Sequence, residues 1–175
     1  MAKLSITAIA NISTRLPAMT KPIIKQLASF LKLERDYISN ETVIGLQNIL
    51  RKYPENKTEI LALLPTAFQS ITNEEARGSL IWILGEFGED IPDATHIMEA
   101  FIDKLEQNED NVSIKNIILT SCVKLFLKRP PEMYAALAKM MNCFINNEEE
   151  DMDLRDRAVF YCKAFQDIGQ LKSAL

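Results

Sequence analysis

Histidine and tryptophan occur once each in 175 residues, glycine five times and cysteine three times, and each scarcity removes a class of function. A lone His96 cannot build a histidine-based catalytic or metal constellation. Cys122, Cys143 and Cys162 lie about twenty residues apart without the C-x-x-C spacing of a closed zinc site, which needs four ligands. No metal, cofactor or catalytic residue is therefore expected. An odd number of thiols in a chain with no signal-peptide pattern at its start argues for reduced core cysteines rather than a disulfide framework. Five glycines and seven prolines are too few for an all-β chain rich in tight turns. No uncharged apolar run is long enough to span a bilayer. Twenty cations against 24 carboxylates give a net charge of -4, so no nucleic-acid partner is expected. The glycines of "GEFG" at 85–88 lack the spacing of a phosphate-cradling loop. The N-x-S/T sequons at Asn11, Asn40, Asn56 and Asn111 read as polar or helix-capping asparagines.

What remains is helix, arranged periodically. Pro17, Pro54, Pro92 and Pro130 are spaced by 37, 38 and 38 residues, and each ends a stretch of helical apolar periodicity. Proline stops a helix because its ring clashes and its nitrogen carries no hydrogen. Asp36, Asn73, Asn111 and Asp151, spaced by 37, 38 and 40, are N-cap candidates opening the next apolar run. Shorter helical stretches are expected between each proline and the next cap, over 19–32, 56–71, 93–106 and 131–146. The unit is a helix pair of about 38 residues, close to the HEAT and armadillo range. The fold class is an all-α solenoid of about ten helices, with repeats over approximately 1–35, 36–72, 73–110, 111–150 and a partial 151–175, and a further helix starting near Gly169. Apolar periodicity at both ends, where capping repeats would be polar, marks an interior stretch of a longer array.

The stretch "ARGSLIWILGEFGEDIPD" at 76–93 raises the sharpest functional question, since it holds the tryptophan and a glutamate among aliphatic residues. At 100° per residue, Ala76, Leu80, Ile83, Leu84 and Phe87 form a core stripe. Gly78 and Gly85 leave a side-chain-free strip on the opposite side, a candidate packing groove between repeats. Glu86 falls beside Ser79 and Glu75 on a polar edge, which removes the desolvation a catalytic acid with a raised pKa needs. Trp82 borders core and polar edge; packing between repeats is the simpler role, and a candidate partner contact is the other.

In "DMDLRDRAVFYCKAF" at 151–165, Leu154, Ala158, Tyr161 and Phe165 form a stripe, of which Leu154 and Tyr161 are candidates for repeat packing. Asp153 and Arg157 are four apart and can pair along the helix. Arg155 and Arg157 are the candidate partner contacts there. Arg15, Arg51, Lys52, Lys128 and Arg129 end the longer helices at one repeat position, so stacking would align a basic edge facing an acidic partner or anionic headgroups. Complementing the negative helix terminus is the simpler role.

"IWILGEFGEDI" (81–91), "KLFLKRP" (124–130), "RKYP" (51–54) and "DLRDR" (153–157), in this spacing, resemble the trunk of the β-adaptins, the large β subunits of clathrin-adaptor-type complexes. "GEDIPDA" together with "EEEDMDLRDR" resembles the β subunit of the fourth adaptor complex more than those of the first two. Ala158 and Cys162 depart from the pattern, where many relatives carry glycine and an aromatic. The resemblance implies a right-handed solenoid of HEAT-like pairs and a non-enzymatic scaffold. It implies as partners the longin domain of the medium subunit and the second large subunit. Its setting would be a membrane coat in vesicle-mediated intracellular protein transport, held peripherally on the cytoplasmic side of trans-Golgi network or endosomal membranes. Family cargo motifs are mainly read by other subunits, so no cargo site is carried over. The alternative is a generic HEAT-repeat scaffold of the transport-receptor or phosphatase-scaffold type.

Overall fold

The computed structural model describes residues 2–33, 35–65, 71, 73–105, 111–147 and 150–174. Its helices are α1 (Ala2–Arg15), α2 (Thr20–Leu31), α3 (Asp36–Lys52), α4 (Lys57–Leu61), α5 (Glu74–Phe87), α6 (Ala94–Leu105), α7 (Val112–Lys128), α8 (Pro130–Asn146) and α9 (Met152–Ala174). No strand occurs among the described residues. The fold class is the helical solenoid expected from the periodicity. The far ends of the second helical stretches expected over 56–71 and 93–106 lie outside the described residues, as do Glu109, Asp110, Glu148 and Glu149.

The polar caps start their helices with one exception. Asn111 Oδ1 accepts the Ile114 N–H at 3.0 Å, Asn73 Oδ1 that of Glu75 at 2.7 Å, and Asp151 Oδ1 that of Leu154 at 3.2 Å. Each satisfies one of the donors a helix start leaves open. Asp36 instead is the first helical residue, and extended Arg35 holds the cap position without a side-chain bond. The Asp36 carboxylate therefore contributes only its charge to the first turn.

The recurring prolines do more than stop helices. Pro17 and Pro54 open one-turn 3-10 segments, Pro17–Met19 and Pro54–Asn56, and Pro130 opens α8 directly. At a first helical position the fixed φ is already suitable, and the missing N–H would have had no partner anyway. The two helices of such a pair are consequently joined with almost no intervening loop. The further helix expected near Gly169 does not form: α9 continues through that residue, since one interior glycine costs only about 1 kcal/mol.

The chain divides into two compact units, Met1–Ile83 and Leu84–Leu175, with the division inside α5 rather than at a repeat boundary. In the first unit α1 and α2 pack on α3, around Leu27, Leu31, Leu46, Ile49 and Leu50. α3 is buried on nearly every side, including polar Ser39, Asn40, Glu41, Thr42 and Gln47. In the second unit α6, α7 and α9 pack on α8, around Met98, Ile118, Leu119, Met140, Phe144 and Leu154.

Candidate functional site

Long helices in register leave polar groups facing the neighbouring repeat, and in the first unit three such groups find partners there. Ser79 donates to Gln47 Oε1 at 2.9 Å, and Asn40 Oδ1 accepts the Asn73 N–H at 3.4 Å. Tyr53 donates its hydroxyl to the Thr14 carbonyl at 3.2 Å. Partners 32, 33 and 39 residues apart are the structural imprint of the sequence period. Ser79, expected on a polar edge, is thus buried. α3 covers α5 there, so burial reaches beyond the core stripe.

Trp82 is half-buried and lies beneath a cation from the basic edge: the Arg51 guanidinium carbon stands 4.7 Å from the ring centroid. Next to it, Lys52 Nζ is 5.8 Å from the Tyr53 ring. Cation and ring quadrupole attract in this geometry by about 0.5–1 kcal/mol at exposed sites. The sequence singles out Trp82, Arg51 and Lys52 but does not bring Arg51 onto Trp82, since a separation of 31 positions becomes a contact only on stacking. Gly78 is buried in the same helix.

The second unit holds the other glycine. A Cβ at Gly85 would stand 2.6 Å from both Cα and Cβ of Ser121, so α7 approaches α5 backbone to backbone there. One turn on, Glu86 receives Lys124 at 2.6 Å, while Lys128 Nζ donates to the Glu86 carbonyl. Arg129 donates to the Glu89 carbonyl at 2.9 Å and the Pro92 carbonyl at 3.4 Å, and pairs with Glu132. Lys128 and Arg129 therefore answer the open carbonyls at the end of the preceding repeat's long helix, where positive charge is favoured.

Around the start of α9, Arg155 donates to the carbonyls of Asn147 at 2.8 Å and Glu150 at 3.4 Å. Arg157 pairs with Asp153 at 3.0 Å, as the four-residue spacing predicts, and both are exposed. Leu154 is fully buried, and Tyr161 is half-buried with its ring edge-on to that of Phe160. A pair that sequence reasoning missed joins Lys115 to Glu150 at 2.8 Å, with side chains only 7% and 4% exposed. Its only sequence signal was a lysine inside an apolar run of α7.

Chemistry of the catalytic kind finds little to work with among the described residues. No group of three or more His, Cys, Asp or Glu side chains could hold a metal ion there. Burial alone pushes the Cys122 thiol up to about 12, the reverse of what a nucleophile needs. A cleft of about 270 Å³ between α1 and α3 is lined by Thr7, Asn11, Glu41 and Asn48. There Glu41 is taken by Lys3 at 2.7 Å and by the Thr7 hydroxyl at 3.2 Å. No helix among the described residues is long and apolar enough to cross a membrane.

Residues 1–168 match the family described as the adaptin N terminal region. The chain belongs to the adaptin family. This adaptin is 31% identical to beta-adaptin-like protein A of Arabidopsis thaliana over 95% of the chain and 19% of that protein. It is 31% identical to the AP-1 complex subunit beta of Dictyostelium discoideum, over 90% of the chain and 16% of the relative. Identity to the AP-4 complex subunit beta-1 of Mus musculus is also 31%, over 91% and 21%. The chain spans about a fifth of the length of these curated relatives.

Proposed function

We propose that this adaptin segment is a non-enzymatic scaffold within the large β subunit of an adaptor complex. Its helix pairs present an extended surface on which the longin domain of a medium subunit and a second large subunit assemble. The setting is vesicle-mediated transport, with the complex held peripherally at trans-Golgi network or endosomal membranes. The supporting observation is the run of bonds between residues one repeat apart, such as Gln47 with Ser79 and Lys128 with the Glu86 carbonyl. Within each unit such bonds fix the spacing of neighbouring long helices, the kind of contact by which stacked repeats hold their register. The test is coexpression with a medium-subunit longin domain. Stoichiometric copurification is expected, and no copurification with a chain that melts cooperatively overturns the proposal.

A further inference from the structure

The basic residues ending the long helices are used differently in the two units. In the second, Lys124, Lys128 and Arg129 are occupied by Glu86, Glu132 and backbone carbonyls. In the first, Arg51 rests on the Trp82 ring and Lys52 on the Tyr53 ring. The Tyr53 hydroxyl bonds the Thr14 carbonyl, which brings that ring to the end of α1, beside Arg15. Arg15, Arg51 and Lys52 are all exposed, and among the described residues none is engaged by a carboxylate. Three cations are thus collected at the carboxyl ends of two adjacent helices, two of them held over aromatic rings.

We infer that this cluster is a docking site for a carboxylate-rich segment of a partner protein, with Arg51 and Lys52 at its centre and Arg15 at its rim. A ring face limits where a cation can go without neutralising it, so the ordering entropy of binding is lowered while the donors stay available. A guanidinium fork also matches a carboxylate edge in two-point geometry. A peptide fits better than an anionic bilayer. Both rings are half-buried beneath their cations rather than projecting to enter a lipid interface, and a flat surface would also confront the rest of a chain whose net charge is -4. The inference goes beyond the assembly proposal and does not depend on it.

Trp82 is the chain's single tryptophan, so its fluorescence reports the site directly. The whole chain is titrated with a short Asp/Glu-rich peptide free of Trp and Tyr, with the same peptide carrying Asn and Gln instead, and with phosphatidylcholine vesicles containing phosphatidylserine. A saturable change with the acidic peptide alone is expected, weakening as salt rises. Arg51→Gln with Lys52→Gln is expected to weaken binding at least about tenfold, the loss of charge-assisted contacts, with a cooperative melt kept at a slightly lower midpoint because the ring contacts are lost. Arg15→Gln, which removes no ring contact, gives a smaller loss and keeps the test open if the double variant fails to fold. Lys139→Gln, in the other unit, leaves binding unchanged. No saturable response to the acidic peptide, equal response to the amide peptide, binding to vesicles instead, or unchanged affinity in Arg15→Gln and the folded double variant overturns the inference.

Discussion

At Gly85 one methyl group decides whether two helices fit. A Cβ there would meet Ser121 backbone and Cβ at 2.6 Å, and neither atom can move aside by a rotamer change. Gly85→Ala gains about 1 kcal/mol of helix propensity but incurs an overpacking cost of about 1–3 kcal/mol, so a lower urea midpoint is expected. At Gly88 the nearest atom is Leu125 Cδ1, the movable end of a side chain, and Gly88→Ala should shift the midpoint less. The buried Lys115–Glu150 pair makes a second residue-scale prediction. Lys115→Met leaves a buried carboxylate unpaired and is expected to cost about 3–5 kcal/mol, while adding Glu150→Leu restores much of it; denaturant curves of the three variants check this. Cys122 supplies a pH dependence. Its thiol rises from 9.0 to about 12 on folding, so the folded chain keeps a proton that the unfolded chain releases. Its contribution is fully present below about pH 9 and is lost as pH rises to about 12, by about 1.4 kcal/mol per pH unit. Equilibrium unfolding across that range should show the slope, and Cys122→Ala should flatten it from a lower starting stability.

Helix starts and ends carry the element scale. The Asn111 side chain caps α7, the helix that Gly85 receives, so Asn111→Ala is expected to cost about 1 kcal/mol, read from thermal melts. Caps and prolines were legible because each acts on its nearest backbone neighbours: Asn73, Asn111 and Asp151 bond within three residues of themselves. Asp36 was misplaced by one position, since either Arg35 or Asp36 can precede the same apolar run and only backbone conformation separates them. Gly169 was given too much weight because α9 is long enough to absorb one poor helix former.

For the whole molecule, a stack of helix pairs draws its stability from neighbours, so protection should follow how many sides of a helix are covered. α3 is enclosed on nearly all sides, and α7 is buried at Ile114, Ile118, Leu119, Cys122 and Leu125. α1 exposes Leu4 and Ile12, and α9 exposes Met152 and Phe160. Hydrogen exchange is therefore expected to be slowest in α3 and α7 and faster in α1 and α9; uniform protection would contradict this.

The 38-residue period, the all-α class, the helix ends and the family resemblance were all determined by the sequence itself, because caps, prolines and apolar spacing act over one or two helical turns. The destinations of the polar and charged side chains that reach from one repeat to the next were decided only by tertiary structure. Ser79 found Gln47, Arg51 found Trp82, and Lys128 found the Glu86 carbonyl across 31 to 42 positions, contacts that exist only once one long helix lies beside the next. Lys128 and Arg129 looked equivalent to Arg51 and Lys52 at their shared repeat position. The carbonyls and carboxylates that the fold brings to the first two, and the Trp82 ring it brings to Arg51, set them apart.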